Sequence, residues 1–402
     1  MTVENIDFLR DLSVRRMLAA PYEFKRYLYG DIDWRDRLIM IKGARGTGKT
    51  TLMLQHMREE MPDPTQALYV SLDHLWFADQ SLYDVAEYHR LHGGTHLFID
   101  EIHYHRNWQQ LLKNLYDDFP DLSIVYTGSS LLKLETSGAD LSRRQASYQL
   151  AGLSFREYLA FEGTGRFDVL SLADVTTKHA KIAANIAEDV RVMPLFNSYL
   201  ERGYYPFYKE VYAGYAQRIE EIITLVLEND YPSVEDVSFS TIQKAKKMLV
   251  ILARNAPQTP NMSALYRELE TDRNQGLKML SVLDRADLLG LLPAKGATLK
   301  NMSRPAKIYC DNPNIMAAIV PAPNIGCMRE TFFLNQLRAA GHDLMLPPAG
   351  DFLVDDKLLF EVGGKNKTFR QIRDIPRSYL AVDGIEVGYG NRIPLWLFGM
   401  LY

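Results

Sequence analysis

Short apolar runs mark the first third of the chain, and amphipathic helical spacing dominates the rest. Residues 38–41 (LIMI), 67–71 (ALYVS), 96–99 (HLFI) and 122–127 (LSIVYT) read as buried strands bounded by turn residues. Between them, Leu52, Met53, His56 and Met57 recur at helical spacing, as do the apolar positions of residues 81–91 and 107–119. These three segments end at Pro62-Asp63-Pro64, at Gly93-Gly94 and at Pro120, where a helix cannot easily continue. Strands alternating with helices predict an α/β fold: a parallel sheet with helices on both faces and ligands at the strands' C-terminal ends. Upstream, Ile6, Leu9, Leu12 and Met17, then Phe24, Tyr27 and Leu28, predict two helices packed on that sheet.

Beyond residue 153 the period changes. Ser154 and Glu157 form a capping box for a helix over 155–161. Residues 173–190 read as a polar, largely exposed helix. Phe196, Tyr199, Leu200, Tyr204 and Tyr205 read as core packing, and a strongly apolar helix over 219–227 stops at Asp230-Tyr231-Pro232. Residues 241–311 read as three helices and two strands, and 326–402 as helix, strand, strand, helix, strand. The expected division is 1–153, 154–238 (a helical linker or lid), 239–324 and 325–402.

Composition changes this picture little. A chain of 402 residues with 47% hydrophobic and 24% charged residues suits two or three globular domains. The net charge of −4 confines any nucleic-acid surface to a local patch. Cys310 and Cys327 make neither a disulfide framework nor a zinc spacing. No apolar run is long enough for a membrane span, and the mixed-charge N-terminus is not a secretory signal, so the expected location is the cytoplasm.

The candidate chemistry starts directly after the first strand, at Gly43, Ala44, Arg45, Gly46, Thr47, Gly48, Lys49, Thr50 and Thr51. Strand, glycine-rich loop and helix are the context in which G-x-x-x-x-G-K-[ST] cradles a nucleoside triphosphate. Backbone N–H groups and the helix N-terminus face the phosphates, Lys49 adds a charge for the β- and γ-phosphates, and the Thr50 hydroxyl is a ligand for Mg²⁺. Some fifty residues on, the strand LFIDE delivers Asp100 and Glu101 at its tip. Asp100 is the expected Mg²⁺ partner of Thr50, and Glu101 the group that polarises the attacking water. Thr127 and Ser129 stand at the tip of the next strand, where a hydroxyl can bond the water or the γ-phosphate; composition alone favours a plain Gly/Ser turn. Arg143 and Arg144 follow in a polar segment, as an arginine finger or a surface pair. His92, His96, His103 and His105 flank the acids without metal-ligand spacing.

GARGTGKTT, LFIDEIH, VYTGSS and LAGLSFREYL together resemble the prokaryotic AAA-type ATPases of the archaeal-ATPase group. The resemblance implies ATP and Mg²⁺ as ligands, and a sheet in which the VYTGSS strand lies between the phosphate-loop strand and the LFIDE strand. It also implies Asp100 as metal ligand, Glu101 as catalytic base, and Thr127 or Ser129 as the sensor. Ser142-Arg143-Arg144 replaces the family's Gly-Arg pair, and Gly152 stands where the family often has Pro. The second half is similar to a winged helix followed by a PD-(D/E)XK nuclease-like cap. The winged helix implies either nucleic-acid contact, through Arg273, Lys278 and Arg285 or through a wing bearing Lys295, Lys300, Arg304 and Lys307, or pure domain packing, and the net charge favours neither. In the cap, Glu330, Asp351, Glu361 and Lys365 or Lys367 form the nuclease-like set. Gly363 occupies the position where a lysine is expected, which predicts a cap that no longer cleaves. A basic helix over 365–377, with Lys367, Arg370, Arg373 and Arg377, offers a surface to nucleic acid or protein.

The expectation is therefore an ATPase that couples hydrolysis to movement of the later domains. The alternatives are a slow nucleotide-gated switch with DNA or protein as its output, and an ATPase that still cuts nucleic acid. Oligomeric state is left open by the sequence.

Overall fold

The computed structural model describes residues 6–61, 63–131, 141–211, 213–255, 261–296 and 305–402. The chain forms two compact units, one of residues 1–151 with Asn229–Asp236, the other of Gly152–Glu228 with Val237–Tyr402.

In the first unit, strands β1 (Leu38–Gly43), β2 (Ala67–Ser71), β3 (His96–Asp100), β4 (Ser123–Ser129) and β5 (Ala146–Gln149) make one sheet. Its order is β2-β3-β4-β1-β5 and every pairing is parallel. The VYTGSS strand thus lies between the other two motif strands. Both faces are buried, which is why the strands read as unbroken apolar runs. Leu38, Met40, Leu97, Ile99, Ile124 and Tyr126 pack on one face, and Ile39, Ile41, Phe98 and Val125 on the other. Helices α1 (Ile6–Ala19), α2 (Leu28–Asp31), α3 (Lys49–Glu60), α4 (Leu82–Leu91) and α5 (Trp108–Asp118) complete the layers.

Three features differ from expectation. β5 (ASYQ) is a half-exposed edge strand with no apolar run to announce it. The second N-terminal helix is a single turn, α2, because residues 20–27 run irregularly past Pro21. The eight residues Asn229–Asp236, expected in a linker, belong to this unit. They hold a helical turn, Tyr231–Val234, preceded by a π-helical turn, Val226–Asp230. Val234 packs on the sheet's core, and the Asp230 side chain is fully buried.

The second unit begins with helix Phe155–Phe161, whose capping box is formed in full. An aromatic core follows: Phe155 meets Phe196 edge to face at 5.3 Å, and Phe196 meets Phe332 at 4.9 Å. Helix Leu172–Asp189 is not largely exposed; Leu172, Val175, His179, Ala183 and Ile186 line one buried face, a stripe that its alanines and histidine disguised. Helices Phe239–Asn255, Met262–Glu268 and Arg273–Arg285 lead into an antiparallel pair, β6 (Leu289–Leu292) and β7 (Lys307–Cys310). Wing residues Lys300 and Arg304 lie outside the described residues. A mixed sheet closes the unit: β8 (Leu344–Met345), β9 (Phe352–Val354), β10 (Leu358–Gly363), β11 (Ser378–Val382) and β12 (Arg392–Pro394), in the order β12-β11-β10-β9-β8. Residues 365–377 do not form the expected basic helix. They hold one 3₁₀ turn, Phe369–Gln371, between Gly363-Gly364 and Pro376. Among the described residues, no helix is long and apolar enough to cross a membrane.

Candidate active site

The loop between β1 and α3 is shaped by its glycines. Gly46 and Gly48 have φ of 81° and 95°, a left-handed region in which side chains are strained. Gly48 is the residue that enters α3, so the loop's N–H groups and the helix N-terminus converge on one concavity. Thr47 ties the turn by donating to the Ala44 carbonyl at 2.9 Å. Arg26, from the irregular N-terminal segment, donates to the Thr47 carbonyl and, at 2.8 Å, to the Ala151 carbonyl. It buttresses the loop from below, and no local motif marks it. Lys49 is buried and donates to the Gly43 and Ala44 carbonyls, both at 2.9 Å. Burial pushes its ammonium below the usual lysine range, opposed by the charges of Glu101 and Asp100.

The acids at the tip of β3 meet this loop. Thr50 Oγ1 donates to Asp100 Oδ2 at 2.7 Å, and the Tyr69 hydroxyl donates to the same oxygen at 3.0 Å. Thr127, buried on β4, donates to Asp100 Oδ1 and accepts the Glu101 backbone N–H at 3.1 Å. Its hydroxyl therefore holds the acid pair. Ser129 turns away and accepts the Leu131 N–H at 3.3 Å. Glu101 has a left-handed backbone, φ 53°, unusual for a residue with a side chain. Its carboxyl is pushed up chiefly by burial and by Asp100, and drawn down by Lys49, His103 and Arg45. Glu101 Oε2 is buried without a hydrogen-bond partner.

Three residues complete the surroundings of Glu101. Arg45 Nη1 is 4.0 Å from Glu101 Oε1. The same guanidinium grips Asp230, with Nε 3.2 and 3.1 Å from the two carboxylate oxygens and Nη2 2.9 Å from Oδ1. His103 lies between the acids, Nδ1 3.2 Å from Glu101 Oε2 and Nε2 3.3 Å from Asp230 Oδ1. Burial alone raises the Asp230 carboxyl; His103 and Arg45 outweigh it and hold it at about 2. Asp230 was not visible as a site residue in the sequence. It lies 185 residues from Arg45, and Asp-Tyr-Pro reads as a helix stop.

The donor set fits a nucleotide and Mg²⁺. A hydroxyl and a carboxylate 2.7 Å apart suit a hard cation, and Glu101 Oε2, buried with the His103 ring nitrogen at 3.2 Å, suits a water or hydroxyl donor. Arg144 is engaged by Asp117 at 3.0 and 3.2 Å, a surface pair, while Arg143 is exposed.

The C-terminal candidates also converge, with one exchange. Lys367, not Lys365, reaches Glu361, Nζ to Oε1 being 2.8 Å. Lys365 instead lies along Gly384, and its carbonyl accepts from Arg392 at 2.7 Å. Lys307 of β7 enters the cluster, 3.2 Å from Glu330 and 3.7 Å from Asp351. Tyr309 donates to Glu330 at 2.8 Å, and Asp351 accepts the Val362 N–H at 2.8 Å. Among the described residues, no group of three or more His, Cys, Asp or Glu side chains is arranged to hold a metal ion.

Residues 35–159, which contain the loop and both acids, match the family model of an AAA domain. That match supports nucleotide binding and ATPase activity for this part of the chain. Over 90% of its length the chain is 28% identical to an uncharacterized protein of Methanocaldococcus jannaschii, covering 82% of that relative. Among solved structures, DnaA from Aquifex aeolicus bound to AMPPCP is 14% identical, with 64% of this chain and 83% of that chain covered, at a TM-score of 0.26. PCH-2 of C. elegans is 15% identical, with 69% and 66% covered, at a TM-score of 0.25. TM-scores this low carry no functional inference.

Proposed function

We propose that this protein hydrolyses ATP at the loop formed by Gly43 to Thr51, with Glu101 as the base that orients and polarises the attacking water. The observation that carries the reading is the continuous line of contacts from Thr50 to Asp100, from Asp100 to Thr127, and from Thr127 to the Glu101 backbone. It ties the phosphate loop to both acids through a side chain of the intervening strand. Thr50 and Asp100 would hold Mg²⁺, whose charge offsets that developing on the phosphoryl oxygens. Lys49 is positioned by two carbonyls of its own loop and stays within reach of the same site. Thr127 acts as a positioning residue, fixing Asp100 and the strained Glu101 backbone together. Raised by burial, the Glu101 carboxyl is a better proton acceptor than an exposed glutamate once ionised.

The test is ATP turnover and nucleotide affinity of purified protein with Lys49→Ala and Glu101→Gln. Lys49→Ala is expected to weaken ATP binding and abolish turnover. Glu101→Gln is expected to keep binding and lose turnover. Unchanged turnover in either variant sinks the reading.

Hydrolysis drives movement of the second unit, and the nuclease-like cluster does not cleave. A lysine ammonium, from Lys307, fills the space between Glu330 and Asp351 that a cutting enzyme gives to a metal ion. Nucleic-acid contact through the wing has weak support, because Lys295 and Lys307 are already engaged by Asp356 and by the Glu330 cluster.

A further inference from the structure

We propose that Asp230 is a positioning residue for the ATPase reaction: it holds the Arg45 guanidinium off Glu101 and so keeps that carboxylate available to water. The proposal rests on the reading of Glu101 as the base.

Two carboxylates compete for one guanidinium. Asp230 takes it with a fork of contacts between 2.9 and 3.2 Å, while Glu101 is 4.0 Å away. Bidentate guanidinium–carboxylate pairs are among the stronger charge-assisted contacts, and a fully buried acid has no water to take its place. Arg45 Nη2, which donates to Asp230, also donates to the Tyr104 hydroxyl at 3.3 Å. His103 completes the partition, sitting between the two acids at 3.2 and 3.3 Å. If the charge of Asp230 is removed, the nearest carboxylate to the guanidinium is Glu101. A glutamate paired in this way no longer presents its oxygens to a water. The pair therefore has a purpose that stability does not supply, since a buried ion pair adds little to folding over apolar packing. The position of Arg45 agrees with this, because it is an unspecified position of G-x-x-x-x-G-K-[ST] and its guanidinium is held by Asp230.

Steady-state ATP turnover of the full chain tests the proposal, with Asp230→Asn, Arg45→Ala, the double variant and Glu101→Gln assayed together. Asp230→Asn is expected to lower kcat at least about tenfold with KM changed less than about threefold. Adding Arg45→Ala to Asp230→Asn is expected to raise kcat again, to the level of Arg45→Ala alone. A purely structural loss would appear as a lowered melting temperature that the double variant restores, so kcat is compared only at temperatures where every variant is folded. Losses that multiply in the double variant overturn the proposal, as does Asp230→Asn with kcat within about twofold of wild type. Thermal melts accompany each assay. Should Asp230→Asn unfold below the assay temperature, the double variant against Arg45→Ala decides alone: equal kcat supports the proposal, and a further loss above about threefold overturns it. Retained turnover in Glu101→Gln removes the base assignment instead, and is read separately from the rescue.

Discussion

Thr50 Oγ1 and Asp100 Oδ2 are in direct contact at 2.7 Å, joining the end of the phosphate loop to the tip of β3. One consequence concerns magnesium. Thr50→Ala and Asp100→Asn should each reduce Mg²⁺-dependent ATP turnover by at least about 100-fold, roughly 2.7 kcal/mol of transition-state stabilisation. Thr50→Ser, which keeps the hydroxyl, should retain most of the activity. Mg²⁺ titration of turnover checks this, and a serine variant as damaged as the alanine one would count against a hydroxyl ligand.

A second prediction concerns mild acid. Burial lowers the imidazoles of His56 and His89 to about 4 from 6.5. The unfolded chain takes up protons below pH 6.5 while these native imidazoles do not, so stability present above pH 6.5 is lost as pH falls towards 4. Each histidine contributes up to about 2 kcal/mol of that loss between pH 6.5 and pH 5. His56→Phe keeps a ring against Trp34, which stacks on His56 at 3.7 Å, and cannot titrate. Urea midpoints at pH 7 and pH 5 should therefore fall less in His56→Phe than in wild type.

The third prediction is for the second unit. Asn314 is buried with its amide fully used. Its oxygen accepts the Tyr204 N–H at 2.8 Å and the Tyr215 hydroxyl at 2.6 Å, and its nitrogen donates to the Tyr199 and Leu200 carbonyls at 3.1 and 2.9 Å. Asn314→Ala removes four buried hydrogen bonds and should cost about 3 kcal/mol or more, read as a lower unfolding midpoint of this unit.

The two C-terminal lysines should separate cleanly. Lys367→Ala leaves the buried Glu361 without its 2.8 Å partner and should destabilise by about 2 kcal/mol. Lys365→Ala should shift the melting temperature little, since it is the Lys365 backbone carbonyl that accepts from Arg392. Equal shifts for the two would contradict the exchange.

Legibility in the sequence followed the distance between partners. Gly43 to Thr51 was readable because loop chemistry, strand and helix are contiguous. Asp100 and Thr127 were readable because each ends an apolar strand, although the resemblance was needed to order those strands. Arg26 and Asp230 were not, since each is defined by contacts far along the chain. β5 was missed because an edge strand needs no apolar run. The sequence does not separate Lys365 from Lys367, because residues 365–377 look helical by charge spacing, whereas Gly363-Gly364 and Pro376 break the backbone there.

The return of Asn229–Asp236 to the first unit has a consequence for synthesis. Arg45 leaves the ribosome 185 residues ahead of its counter-ion. At about 5–20 residues per second the nascent guanidinium waits on the order of 10–40 s, with Glu101 already made. During translation, the phosphate loop is therefore older than the residue that sets its charge balance.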